Sequence, residues 1–86
     1  MEKIVGVAIK VNGELYSMLA PCRHADIYEW LHEANVDVLS SAICEGFVTN
    51  SGEFVNRHQA AKIAKKANQI ISDDFVEYCL YSEDVW

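Results

Sequence analysis

The dipeptide Asn12-Gly13 constrains the fold of this chain more than any other feature, because it places a β-hairpin near the start of the sequence. A two-residue type I′ turn needs positive φ at both central positions, and asparagine followed by glycine adopts it readily. A β-branched, apolar run over residues 3–11 precedes the turn, and residues 14–19 follow it with alternating side chains. The sequence therefore predicts two antiparallel strands, and Pro21 ends the hairpin.

A second hairpin is predicted in the middle of the chain, after a connector over residues 36–41. Residues 42–49 resemble a strand in which Gly46 indicates either a bulge or the close approach of a ligand. Residues 50–52 form a turn, and residues 53–55 return as a short strand.

One helix is expected after each hairpin. Residues 24–34 carry apolar side chains at helical spacing and end before Asn35, which tolerates the left-handed conformation. Residues 57–67 follow Asn56, a good N-cap, and Gln59 completes a capping box three residues later. The second hairpin and helix echo the first, which indicates either an internal repeat or a chance similarity.

The C-terminal part gives weaker signals. Residues 70–71 are expected to form a buried edge, and residues 75–81 a strand, with a helix as the alternative. Residues 82–84 resemble a cap and a first helical turn, closed by Trp86. Together these elements predict an α+β fold in a single domain, residues 1–86, with a small antiparallel sheet of two hairpins and two main helices packed on it.

Composition restricts the class of partner. Seven Lys and Arg face 13 Asp and Glu, and the net charge of -6 argues against a nucleic-acid polymer or an anionic membrane as partner. Cys22, Cys44 and Cys79 are widely spaced, which is typical of free thiols in a reducing compartment. We find neither a signal peptide nor a long apolar run, and expect a cytoplasmic protein. A chain this short leaves much surface uncovered, so a homo-oligomer, a dimer or larger, is expected.

The only two arginines each precede a histidine, as Arg23-His24 and Arg57-His58, and both pairs lie where a helix is predicted to start. The positive end of the helix dipole disfavours a cation, so a guanidinium group there needs a compensating anion. Guanidinium groups and free backbone N–H groups together suit a phosphate or carboxylate. This placement indicates an anion-binding site. The alternative is a surface arginine that folds back onto Glu53 or another acidic residue.

No catalytic residue, metal site or cofactor is predicted. Cys22 and His24 are near in sequence, but a nucleophile–base pair is defined by geometry and not by adjacency. The spacing of Cys22, His24 and Asp26 does not match a metal-binding motif, and the chain has no glycine-rich phosphate loop.

Other side chains suit a nucleotide. Phe47 beside a glycine, followed by Thr49 and Asn50, would stack a base and bond its polar edge, or would be a core aromatic before a polar turn. Glu83 and Asp84 would reach ribose hydroxyls, or would form a solvated acidic tail.

The run over residues 46–64, followed by Asn68-Gln69-Ile70, resembles a pattern found in a group of small bacteriophage proteins, G-F-x-T-x-x-G-x-F-V-x-R-x-x-A-x-x-I-A and then G-Q-I. Residues 23–26 and 80–86 fit the same pattern. Asn68 replaces the glycine of the group, and a left-handed helix end tolerates that change.

The size, the α+β organisation and the phage setting of this group are similar in design to anti-defence proteins that sequester cyclic nucleotide immune signals, such as the first-described Thoeris anti-defence type. In those proteins arginines and an aromatic residue enclose the nucleotide. The resemblance implies a sponge that binds a small phosphorylated, cyclic nucleotide without hydrolysing it. The ligand contacts it implies are Arg23, His24, Phe47, Thr49 and Arg57.

Two other functions remain open from the sequence. An acidic protein that binds and inhibits a host nuclease or defence complex would act through its surface charge. An enzyme would use His24 or His58 as a base on a nucleotide.

Overall fold

Four antiparallel strands form one sheet, against which two helices pack, as the α+β prediction requires. The computed structural model describes all 86 residues. The sheet has the order β2-β1-β3-β4. Its strands are β1 (Ile4–Val11), β2 (Glu14–Leu19), β3 (Ile43–Thr49) and β4 (Phe54–Asn56), and its helices are α1 (His24–Glu33) and α2 (Arg57–Lys66).

The local signals of the sequence are confirmed. Asn12 and Gly13 have φ of 51° and 87°, the conformation that the hairpin turn needs. The Asn56 side chain accepts a hydrogen bond from the backbone N–H of Gln59 at 2.7 Å. The Gln59 side chain in turn accepts one from the backbone N–H of Asn56 at 3.0 Å, which completes the capping box of α2. Asn35 takes a left-handed φ of 58° just after α1, and Asn68 takes the same value after α2.

Alternation along the strands gives the sheet two different faces. The helix face carries Val7, Ile9 and Phe47, which join one buried cluster with apolar residues of both helices, such as Ile27 and Ala60. By the pairing register, the other face carries Gly6, Ala8 and Lys10 of β1, Leu15, Ser17 and Leu19 of β2, Cys44, Gly46 and Val48 of β3, and Phe54 and Asn56 of β4.

The prediction of a strand over residues 75–81 is wrong. This segment forms turns with one isolated bridge between Val76 and Cys79, and Leu80 reaches the core. The segment pairs with neither edge strand of the sheet, β2 or β4, and the Leu80 backbone N–H donates instead to the Arg57 carbonyl at the start of α2. The buried edge expected at residues 70–71 is also corrected, because Ile71 is 68% exposed.

Gly46 is explained by close contacts with the Val55 carbonyl and the Phe54 ring of β4 and not by a bulge or a ligand. The pairing of β3 with β1 runs without a shift at Gly46, and the Phe54 ring of β4 lies across it. A Cβ atom at this position would lie 2.7 and 2.8 Å from two carbons of that ring and would also meet the Val55 carbonyl.

We therefore expect Gly46→Ala to lower the free energy of unfolding by about 2 kcal/mol, the usual cost of overpacking. Ser17→Ala, on the same face but exposed, is the control and should change it by less than about 0.5 kcal/mol. Urea unfolding measures both. Equal stability of the two variants would show that the Phe54 ring does not require a glycine beneath it.

Candidate functional site

The two helix starts that carry the arginines meet at one small cavity, which we call the arginine cleft. Its volume is about 180 Å³. Arg23 is the N-cap of α1, and Arg57 is the first residue of α2. Both side chains thus face the same cavity although 34 residues separate them in the sequence (57 − 23). The lining residues are Arg23, His24, Ala25, Arg57, Tyr81, Ser82 and Glu83.

Arg57 is held by two partners within the chain. One terminal nitrogen donates to the Glu45 carboxylate at 2.7 Å, and the other donates to the Leu80 carbonyl at 2.7 Å. Its side chain is only 21% exposed. The interpretation in which Arg57 folds back onto an acidic residue therefore describes part of its role, with Glu45 of β3 in place of the expected Glu53.

The environment of Glu45 favours its ionised carboxylate form. Burial disfavours the carboxylate, but the hydrogen bonds from Arg57 and from the Tyr28 hydroxyl outweigh burial, and the pKa of Glu45 is lowered. Burial and the same bond to Glu45 raise the pKa of Tyr28 to about 12. The pair of Arg57 and Glu45 is therefore ionised throughout the neutral range, and it joins α2 to β3.

Arg23 is more open to solvent and bonds to the C-terminal segment, residues 80–86. Its terminal nitrogens donate to the Trp86 carbonyl and, at 3.4 Å, to the Ser82 hydroxyl, and the Glu83 carboxylate lies 3.7 Å away. The side chain of Arg23 is 42% exposed and that of Glu83 is 70% exposed. Asp26 does not pair with this guanidinium group but accepts from the backbone N–H of Arg23.

Both guanidinium groups keep unused donors. Arginine has five N–H donors, and the two side chains use two each in bonds within the chain. The cations are therefore positioned by the protein and still have N–H groups to offer to an anion.

His24 lies at the cleft, but its surroundings make it a neutral structural residue. It is 8% exposed, and Nε2 lies 2.7 Å from the Gly46 carbonyl, which requires the proton on that nitrogen. Burial lowers the pKa of His24, the nearby Arg57 cation lowers it further, and the Gly46 bond opposes them without reversing the shift. The ring also meets Phe47 edge to face, at 5.0 Å between centroids.

The structure places three of the predicted ligand contacts in other roles. Phe47 is completely buried on the helix face, so it has no open side on which a base can stack. Thr49 is 1% exposed, and its hydroxyl bonds the Ser51 hydroxyl at 2.8 Å inside the turn after β3. Asn50 bonds the backbone of Lys3 and so anchors the N-terminal residues. These three ligand contacts are corrected, and the structure agrees with the alternative drawn from the sequence, a core aromatic followed by a polar turn.

Glu83 and Asp84 of the C-terminal segment have different roles, whereas both were predicted as ligand contacts. Glu83 borders the cleft as expected, but Asp84 is 5% exposed and accepts from the backbone N–H of Tyr81, so it is not free to reach a ribose. Tyr81 itself was not predicted at the site. Its ring is 49% exposed, and its centroid lies 4.8 Å from the Arg57 guanidinium carbon. The available signal was an aromatic residue two positions before the acidic pair Glu83-Asp84.

No group of three or more His, Cys, Asp or Glu side chains has an arrangement that could hold a metal ion. None of the helices combines the length and the apolar character needed to cross a bilayer.

The lowered pKa of His24 predicts a pH dependence of stability. As the pH falls below about 6.5, the unfolded chain takes up a proton that folded His24 resists, so the free energy of unfolding decreases. His24→Gln should reduce this decline between about pH 7 and pH 5, where carboxylates contribute little. His58→Gln, at an exposed position of α2, is the control and should retain it. Urea unfolding at several pH values measures the effect, and an unchanged decline in His24→Gln would contradict this assignment.

The family model described as phage T4 y16D protein matches residues 3–86, nearly the whole chain. No curated protein and no solved structure matches. The resemblance to small bacteriophage proteins is thereby confirmed, and the chain belongs to the phage T4 y16D protein family.

Proposed function

We propose that this bacteriophage protein is an anti-defence protein that binds the phosphate of a small cyclic nucleotide signal in the arginine cleft and sequesters it without hydrolysis. One observation carries the proposal: the only two arginines of an acidic chain line the same cavity, at the starts of two helices. Helix N-termini and guanidinium groups both favour phosphate oxygens.

The size of the cleft determines which part of a nucleotide it would take. A volume of about 180 Å³ is below the roughly 300 to 1,000 Å³ of pockets that enclose a whole ligand. The cleft therefore suits a phosphate group, with the nucleoside lying outside on the protein surface. The half-exposed Tyr81 ring, backed by Arg57, offers a stacking surface there in place of the buried Phe47.

The two ion pairs at the cleft differ in how easily an anion would replace them. The carboxylate of Glu45 is held by two hydrogen bonds, whereas Glu83 is mostly exposed and 3.7 Å from Arg23. An exposed ion pair of this kind contributes at most about 1 kcal/mol to stability. A phosphate would therefore displace Glu83 from Arg23 and leave Glu45 with Arg57.

The environment of His24 favours binding over catalysis. A general base needs a free lone pair aimed at the proton it removes and a pKa near the working pH. The ring of His24 is buried, donates to Gly46 and has a lowered pKa. His58 does not line the cleft.

A second function, the binding and inhibition of a host nuclease or defence complex, is favoured by a separate surface that we call the acidic groove. It has a volume of about 400 Å³. Trp30, 42% exposed, lines this groove together with Glu29 and Glu33 of α1. Carboxylates beside an exposed indole suit an arginine side chain of another protein. The groove is lined by Met18, Pro21, Cys22, Asp26, Glu29, Trp30 and Glu33.

Calorimetry with a panel of cyclic and linear nucleotides tests the first function. We expect one nucleotide to bind, and Arg23→Ala to weaken it at least about tenfold, since a bond to a charged group contributes about 1.5 to 3 kcal/mol. Glu83→Gln should strengthen binding, because it removes the competing carboxylate. Lys62→Ala removes an exposed cation of α2 and is the control that should bind as wild type. Arg23 is preferred to Arg57 because its side chain is 42% exposed against 21% for Arg57, so its removal disturbs the structure less.

The same experiment separates the two functions. Weak, equal heats from wild type and Arg23→Ala across all nucleotides would contradict sequestration. In a second titration, the protein is mixed with an arginine-rich peptide. If the Glu29→Gln variant no longer binds this peptide and the Arg23→Ala variant still does, the result would support the acidic groove instead.

A further inference from the structure

The carboxylate of Glu83 already places a negatively charged group at the arginine cleft. Its Oε2 atom accepts a hydrogen bond from the Ser82 hydroxyl at 3.1 Å and lies 3.7 Å from a terminal nitrogen of Arg23. The same Arg23 nitrogen donates to the Ser82 hydroxyl at 3.4 Å. Ser82 is 4% exposed, so its hydroxyl group needs an acceptor within the structure. An anion that displaces Glu83 therefore gains a hydroxyl donor in addition to the guanidinium group.

The charged side chains of the cleft balance one another. Arg23 and Arg57 are its two cations, and Glu83 and Glu45 are their acidic partners. When a guest displaces Glu83, a guest with one negative charge leaves this balance as it was. A guest with two negative charges brings one charge that no cation of the cleft compensates.

The groups around these four side chains add no cation. Asp26 and Asp84 do not line the cleft, and each carboxylate accepts a hydrogen bond from a backbone N–H group. Burial lowers the pKa of His24, and the Arg57 cation lowers it further, so the ring is neutral near neutral pH. None of the lysines lines the cleft. A second negative charge on the guest therefore has no partner, in a chain whose net charge is -6.

We propose that the arginine cleft selects phosphate esters by their charge, and binds a singly charged phosphodiester in preference to a doubly charged phosphomonoester. This inference rests on the proposed function and adds the charge state of the guest. A phosphodiester has two oxygen atoms that share one negative charge, as a carboxylate has, so it can accept from Ser82 and Arg23 in place of Glu83. A terminal phosphate has a second pKa of about 6 and carries close to two charges at neutral pH.

Selection by charge distinguishes a cyclic signal from its linear hydrolysis product. Hydrolysis adds water across one P–O bond of the cyclic phosphodiester and gives a hydroxyl group and a phosphomonoester. The monoester loses a further proton near neutral pH. The cleft would therefore retain the intact cyclic nucleotide and bind the linear product weakly.

Calorimetric titration with 3′,5′-cyclic AMP and with 5′-AMP tests this selection, because the two share base and sugar and differ in phosphate charge. At about pH 7.5 we expect cyclic AMP to bind at least about tenfold more tightly, since AMP brings an unpaired charge to a partly exposed site. At about pH 5.5, where AMP is mostly singly charged, the difference should fall below about threefold.

The change of pH acts mainly on AMP. A hydrogen bond from its own backbone N–H group lowers the pKa of Glu83, so this carboxylate stays ionised at the lower pH. The charge of cyclic AMP does not change over this range. Its own affinity at the two pH values therefore reports any titration of the protein and serves as the internal control.

Glu83→Gln removes a negative charge at the cleft that repels the doubly charged ester more strongly than the singly charged one. This variant should narrow the difference at about pH 7.5 by at least about threefold. Glu53→Gln is the matched control, because it makes the same change of net charge at an exposed residue that does not line the cleft. It should keep the difference of the wild type.

Equal binding of AMP and cyclic AMP at the higher pH, or a difference that does not change with pH, would overturn the selection but not phosphate binding itself. An equal effect of Glu83→Gln and Glu53→Gln would also overturn it, because net charge and not the cleft would then be the cause. Failure of cyclic AMP to bind at millimolar concentration would overturn it as well. Binding of another nucleotide of the panel would in that case still support sequestration.

Discussion

The hydrogen bonds of Arg57 connect the sheet, the second helix and the C-terminal segment, and the candidate site depends on them. One bond goes to Glu45 on β3 and the other to the Leu80 carbonyl. Leu80 returns a backbone bond to the Arg57 carbonyl at 3.0 Å. Arg23 adds bonds to Ser82 and Trp86 at the start of the other helix. Residues 80–86 are thereby held against both helix starts, and the arginine cleft is the space between them.

A cation at a helix N-terminus is electrostatically unfavourable, and this chain compensates for it with its own oxygen atoms. Glu45 and Glu83 supply the negative charge that a guest anion was expected to supply, and two backbone carbonyls accept further hydrogen bonds from the arginines. The arginines therefore have a structural role that does not need a ligand. Their unused N–H groups leave donors for a phosphate. The ion pair of Arg23 with Glu83 is weaker than that of Arg57 with Glu45, and the proposed function rests on this difference.

Sequence reasoning succeeded where structure depends on neighbouring residues. The Asn12-Gly13 turn and the Asn56 capping box are set by conformational preferences and bonds over at most three residues, and both were predicted correctly. The placement of Arg23 and Arg57 at helix starts was also accessible, because it follows from where helices begin. Their meeting at one cavity was not, because it depends on how the two helices pack.

Features that depend on distant contacts were not accessible. Phe47 is buried because both helices and the sheet close around it, and no local pattern distinguishes it from an exposed stacking residue. Residues 75–81 form turns and pair with neither edge strand of the sheet, and the segment itself does not encode that outcome. Tyr81 enters the site only through its contact with Arg57.

Amide hydrogen exchange in an Arg57→Gln variant tests most directly whether the arginine holds the C-terminal segment at the helix starts. The amides of Ile71 and Trp86, which donate to Asp84 and Ser82, should exchange about tenfold faster or more than in the wild type. Amides of the central strand β1 should keep their protection to a greater degree. Unchanged exchange at Ile71 and Trp86 would contradict the account, because the segment would then be held without the arginine.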